Sequence, residues 1–309
     1  EVLARHPYLR SDESTLGMLT IPKGTWQISA PLVLPEGYGL LLRSGTRLAF
    51  AADSYLLSHG PLVFRGTASA PIDLSPLSDS WKGIVVLGSH RQSSWDYVRV
   101  TGADAVTLPG WTLTGAVTFY ESPVAFRNVR FAGSQAEDAL NVIRSDFVLE
   151  GSVVYDTFSD ALDADFSQGE VRDCQFVQIG ADAIDTSGSR VTVRNTEMRD
   201  VGDKAVSAGE SSQLTAEGLI IERAAFGVVS KDLSVVTLRD IDISAARRAV
   251  LAAYIKKTSY GPATMSVQGL RLHDVGDATI TLVQTGSWID LDGSRVWGED
   301  IDIDALYAE

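Results

Sequence analysis

The sequence predicts an all-β chain wound as a single parallel β-helix, and three observations carry that expectation. Glycine, asparagine or aspartate recurs at Asn128, Gly151, Asp173, Asn195, Gly218, Asp240, Gly269 and Gly293, at spacings of 23, 22, 22, 23, 22, 29 and 24 residues. These residue types tolerate the left-handed backbone conformation, so the column reads as one sharp turn per repeat. Four and two residues before each turn stand Val124/Phe126, Phe147/Leu149, Gly169/Val171, Val191/Val193, Leu214/Ala216, Val236/Leu238, Met265/Val267 and Ile289/Leu291. That alternation is a strand with one buried face. Three residues after each turn stand Phe131, Val154, Phe176, Met198, Ile221, Ile243, Leu272 and Val296, where a second strand begins.

A repeat of this length leaves no room for an amphipathic helix of ten or more residues with caps, which excludes βαβ units and helical solenoids. Leucine-rich repeats share the period but require a leucine spacing that this sequence does not follow. What remains is a coil of short strands joined by tight turns, each coil stacked about 4.8 Å above the last. Taken in order, residues 1–18 are expected to cap the first coil, whose strand edges would otherwise invite edge-to-edge association. Residues 299–309 are expected to cap the other end. No linker or low-complexity tract interrupts the chain, so residues 1–309 are expected to form one domain. The 29-residue spacing marks an insertion around Tyr254–Gly261, expected to project as a loop.

Composition narrows the function. The chain has 26 Lys plus Arg against 40 Asp plus Glu, a net charge of −14, which is the wrong field for nucleic acid or an anionic membrane surface. A single cysteine, Cys174, excludes an internal disulfide framework and a cysteine-based zinc site. The four histidines, His6, His59, His90 and His273, are scattered. No apolar run reaches membrane-span length, and the chain begins at Glu1 without an apolar signal region, so it is read as a mature or excised soluble piece. Phosphate loops, dinucleotide fingerprints and the G-x-S-x-G element are all missing, so no organic cofactor is expected.

The polar columns carry the chemistry. Aligning the apolar pairs Ala139-Leu140, Ala161-Leu162, Ala183-Ile184, Ala205-Val206 and Gly227-Val228 stacks Asp138, Asp160, Asp182, Lys204 and Phe226. The next columns are Asn141, Asp163, Asp185 and Ser207, then Ile143, Asp165, Ser187, Gly209 and Lys231, then Arg144, Phe166, Gly188, Glu210, Asp232 and Tyr254. Carboxylates stacked one coil apart, about 5 Å, repel each other. Either this is a solvated outer face or it is a binding cleft that holds a cation. Asp160, Asp163, Asp165, Asp182, Asp185 and Glu210 offer the oxygen ligands that suit calcium. Lys204 and Lys231 fall on the same face, either as catalytic groups or as ion-pair partners of the aspartates. Aromatics such as Trp95, Tyr97, Trp111, Tyr120, Tyr155 and Tyr254 either stack on sugar rings or fill the coil.

The strings Leu19-Thr-Ile-Pro-Lys-Gly-Thr-Trp26, Ser44-Gly-Thr-Arg-Leu-Ala-Phe50 and Trp81-Lys-Gly-Ile84 resemble the openings of right-handed β-helix proteins of the pectate-lyase-like superfamily. The resemblance spans roughly residues 15–300 as a pattern and implies a right-handed coil, in line with the handedness of parallel crossovers. Asp182-Ala-Ile-Asp185 and Asp160-Ala-Leu-Asp163 are similar to the N-T-D-G-I-D motif of polygalacturonases. That likeness would make Asp182 an acid and Asp185 part of a base pair, yet the chain lacks the Gly-His-Gly and Arg-Ile-Lys elements of those enzymes. Lyases and C5-epimerases of uronate polysaccharides on this fold use Lys, Arg, His or Tyr to move a proton beside a neutralised carboxylate. Lys204, Lys231, Arg144 and Tyr254 would supply such groups here. The expectation is a protein active on an acidic polysaccharide, as a lyase or C5-epimerase, located outside the cytoplasm and forming part of a larger exported protein. The alternatives are a non-catalytic carbohydrate-binding or surface-interaction module, and a glycoside hydrolase with paired aspartates.

Overall fold

The computed structural model of the chain describes residues 2–108 and 110–307. Short strands dominate throughout, in parallel ladders whose coils repeat about every 23 residues. The contacts divide the chain into two compact units, Glu1–Ala161 and Leu162–Glu309. Among the described residues, no helix is long and apolar enough to cross a membrane.

In the first unit, the strand Arg10–Ser11 lies antiparallel against Met18–Thr20, and from there the pairing turns parallel. One ladder runs through Leu32–Val33, Leu56–Ser58, Ile84–Leu87, Gly115–Tyr120 and Asp138–Ile143. A second runs through Gly39–Arg43, Leu62–Arg65, Ser93–Asp96, Val124–Arg127 and Asp146–Glu150. The interior is aromatic. Trp95 is fully buried against Phe64, Phe119, Phe126 and Phe131, with ring centroids 4.8, 5.9, 5.2 and 6.5 Å away, and Trp81 stacks on Phe50 at 4.0 Å. Trp95 and Trp81 are therefore core residues. The side chain of Trp111 lies outside the described residues.

In the second unit, Leu162, Ile184, Val206, Val228 and Leu251 stack at equivalent positions, all fully buried. Strand alternation sends their neighbours outward, so one ladder of this unit carries the polar columns on its outer face. A serine ladder holds the turn that follows. Ser189 Oγ accepts the Ser167 N–H at 2.8 Å, Ser212 Oγ that of Ser189 at 3.0 Å, and Ser234 Oγ that of Ser212 at 3.1 Å. All four serines are buried, and each hydroxyl satisfies an amide that the turn would otherwise strand.

All eight residues of the turn column have positive φ, from 47° at Asn195 to 86° at Gly293. The apolar columns are buried as expected at Val124, Phe126, Phe147, Leu149, Val191, Val193, Leu214, Val236, Leu238 and Met265. One register assignment is corrected. Tyr254 pairs with Lys231, not with Asp232. The preceding coil steps are 22 residues, Asp185 to Ser207 and Ser207 to Val229, but the step from Phe226 to Ala249 is 23. The extra residue moves Tyr254 into the Asp165, Ser187, Gly209 and Lys231 column. Beyond it, residues 255–263 form the expected loop without strand.

Candidate active site

The outer face of the second unit is built on the strands Ile184–Ser187, Glu197–Gly209, Ile220–Lys231 and Ala249–Tyr254, together with residues 162–165. Asp163 lies opposite Asp185, and Asp185 opposite Ser207. Lys204 is the centre of the charge pattern. Its Nζ lies 3.4 Å from Asp182 Oδ1 and in closer contact with Asp203 Oδ2, and its backbone N–H donates to Asp182 Oδ1 at 2.9 Å. Lys231 Nζ lies 3.6 Å from Asp185 Oδ1. Lys204 and Lys231 are each only 4% exposed and Asp182 5%, so this is an enclosed ion cluster and not a solvated face.

Enclosure makes the sign of each shift informative. Burial alone would push the Lys204 ammonium down, but Asp182 and Asp203 outweigh it and hold its pKa above the ordinary lysine value. Lys231 behaves likewise: burial opposes the charge, Asp185 and then Asp182 favour it, and the net direction is up. Both lysines are thus fixed as cations. Lys256 moves the other way, lowered by burial first and then by the ammonium groups of Lys231 and Lys204. It stands in the inserted loop, which is pinned in place. Asp232 Oδ1 accepts the N–H groups of Lys256 and Lys257 at 2.7 and 2.8 Å, and Gln284 Oε1 accepts that of Ile255 at 2.7 Å.

The remaining wall comes from residues 301–307. Ile303 joins Phe226, Val229, Ala249, Ala252 and Tyr254 in one buried cluster, and Ile301 and Leu306 pack against it. This lays Tyr307 over the ions, with Lys256 Nζ 4.4 Å and Lys204 Nζ 5.7 Å from its ring centroid. The hydroxyls of Tyr254 and Tyr307 are 2.6 Å apart, and burial raises the pKa of both. Both phenols are therefore O–H groups at ordinary pH.

The structure brings Asp182, Asp185, Lys204, Lys231 and Tyr254 together. Asp163 and Asp165 lie half-buried on the same face of the second unit. Glu210 sits at a positive-φ turn, where it accepts the Ser187 hydroxyl at 2.5 Å and pairs with Lys257, so its carboxylate is committed to the loop. Asp160 opens the strand Asp160–Asp165 but closes the first unit. Arg144 belongs to the first unit too, exposed, with Nη1 3.1 Å from Tyr120 Oη and 3.7 Å from Glu121. Its column is a turn column, with φ of 49°, which aims the side chain away from strand alternation. Sequence reasoning missed Lys256 and Tyr307. The first could have been found in the insertion, two residues beyond Tyr254; the second leaves no periodic signal.

No protein-family model matches the chain, and no curated protein sequence matches it either. Solved structures do. The catalytic unit of a thermostable GH87 α-1,3-glucanase from Streptomyces thermodiastaticus superposes with a TM-score of 0.55 at 13% identity, covering 93% of this chain and 65% of that one. The catalytic domain of a GH87 α-1,3-glucanase in complex with nigerose gives 0.51 at 11% identity, covering 88% and 64%. The chain thus spans just under two thirds of these two catalytic units. A periplasmic alginate epimerase is also similar, at 12% identity and a TM-score of 0.46, covering 92% of this chain and 80% of that one. The two glucanase matches agree with the parallel β-helix.

Proposed function

We propose that the chain acts on an acidic polysaccharide by moving the proton at C5 of a uronate unit, as a lyase or C5-epimerase. The observation that carries this reading is geometric: the enclosed cations Lys204 and Lys231 pair with Asp182 and Asp185, and the exposed Lys256 stands over the same Tyr307 ring as Lys204. A C5 proton becomes removable when the adjacent carboxylate is neutralised and the developing charge is stabilised, the work of preorganised cations. Lys204 and Lys231, held protonated beneath the surface, would supply such a field without touching the substrate. The acceptor must give up its own proton near the working pH, and Lys256 is the lysine shifted that way. In elimination, Lys256 Nζ takes the C5 proton, the C4–O bond breaks as the C4=C5 bond forms, and a tyrosine O–H protonates the departing oxygen. In epimerisation, Lys256 Nζ takes the C5 proton while the C4–O bond stays intact, and the resulting carbanion takes a proton from the Tyr307 O–H on the opposite face, leaving a tyrosinate that the lysine ammonium later reprotonates through solvent.

The neighbouring structures named for glucan and alginate chemistry agree with a polysaccharide ligand, and with a location outside the cytoplasm. A paired-aspartate hydrolase fits the cluster less well, because Lys204 donates two hydrogen bonds to Asp182 and so favours an acceptor role over that of a general acid. A non-catalytic carbohydrate-binding module is the second reading, favoured by the cover that residues 301–307 lay over the ions. Calcium suits the oxygen-rich face but must compete with ammonium groups for Asp182 and Asp185. Incubating alginate, pectate and glycosaminoglycans with the chain and following absorbance from an unsaturated product tests the lyase arm. Lys256→Gln should lose at least about a hundredfold in kcat, the usual worth of a positioned base. A Lys256→Gln protein as active as the wild type would remove Lys256 from this role.

A further inference from the structure

The first unit holds a concavity of about 530 Å³ whose lining includes His59, Leu87, Leu113, Tyr120, Glu121 and Ile143. Its size is that of a small-ligand pocket. Leu87, Tyr120 and Ile143 are neighbours in one outward column, Leu87 opposite Tyr120 and Tyr120 opposite Ile143, and each is partly exposed. Three stacked coils therefore offer an apolar strip with an aromatic ring at its middle, and Leu113 adds to the same lining. Polar groups stand along the edge. Arg144 donates to Tyr120 Oη at 3.1 Å and faces Glu121 at 3.7 Å, which fixes the phenol and brings a guanidinium and a carboxylate to the rim. His59 adds an imidazole to the lining.

An apolar ring platform beside a short row of hydrogen-bonding groups matches one common ligand shape, the pyranose, whose C–H face is apolar and whose edge carries hydroxyls. A flat hydrophobic ligand would leave the Arg144, Glu121 and His59 groups without work, and a small ion would leave Leu87, Tyr120 and Ile143 uncovered. We infer that the Tyr120 pocket is a sugar-binding subsite that takes pyranose units of the polysaccharide, with Tyr120 as the stacking surface and Arg144 as the residue that positions it. The inference rests on the proposed reading that the ligand is a polysaccharide, and it adds a site in the first unit that performs no chemistry.

The test is calorimetric binding of oligogalacturonates and alginate oligomers, one to six units long, to the whole chain. Tyr120→Ala should weaken binding of the longer oligomers about tenfold, an aromatic contact of ordinary worth. Tyr120→Phe, which keeps the ring, should lose less than about threefold. Where turnover is measurable, Tyr120→Ala should raise KM and leave kcat unchanged, because a stacking ring binds ground state and transition state alike. Leu87→Glu, which puts a carboxylate against the acidic oligomers beside Tyr120 and keeps the ring, should reproduce the loss and covers the case in which Tyr120→Ala folds poorly. Wild-type affinity in folded Tyr120→Ala and Leu87→Glu proteins would overturn the subsite and leave the polysaccharide reading standing. A wild-type chain that neither binds nor alters any of these glycans would overturn both.

Discussion

Lys204 and Lys256 carry the same side chain and answer their surroundings in opposite directions. Lys204 is nearly enclosed between two carboxylates, so Lys204→Ala strips Asp182 of its cation inside the protein. Breaking such a pair should cost about 3 kcal/mol or more, against less than about 1 for an exposed pair, read as a fall in melting temperature. The pH dependence follows from the same signs. Lys204 and Lys231 have raised pKa values, so their contribution is present below the ordinary lysine value and lost as pH rises through their folded values. Lys256 is lowered, so its native state sheds a proton early and stability rises with pH between its folded value and the ordinary one. The melting temperature should therefore rise gently on approach to the lysine range and fall beyond it. In Lys256→Gln the rise should vanish while the fall remains; an unchanged profile would contradict the assignment. The grouping of Lys204 with Asp182 was legible in the sequence because both occupy one column. Lys256 was not, because only the pinned loop brings it back over that column.

Turns and ladders set the placement of every such group. Gly218 has a φ of 67°, and a Cβ there would meet Asn195 Oδ1 at 2.9 Å. Gly218→Val should lower stability by about 1 to 3 kcal/mol, whereas Asn195→Gly at the same turn of the neighbouring coil should be near neutral. Val193 is fully buried, and Val193→Asp should disrupt its own coil and both neighbours, since each coil buries its apolar face against the next. Equal melting of Val193→Asp and wild type would contradict the ladder. The turn column was readable because so few residue types accept the left-handed region. The register of Tyr254 was not, since a coil of 22 and one of 23 residues look alike until pairing fixes which is present. The serine ladder escaped notice for a different reason: serine is common, and only its burial reveals the work it does.

At the scale of the whole molecule, a net charge of −14 attracts divalent cations in general, so binding at the cluster must be separated from binding by the bulk field. Calcium at the aspartates should bind weakly in the wild type and more tightly in Lys231→Ala, because Asp185 then loses its ammonium partner. Calorimetry with both proteins checks this, and equal heats would place calcium away from Asp185. Fold class was legible from one end of the repeat to the other, whereas the cover of residues 301–307 was not, because a single non-repeating segment has no period to betray it. Proton transfer at C5 is read out by proton NMR of polyuronates incubated with the chain in D₂O. Either a new alkene proton or replacement of the C5 proton by deuterium is expected, with both lost in Lys256→Gln. New reducing ends with neither signal, or binding of the polymer with every C5 proton retained, would contradict it.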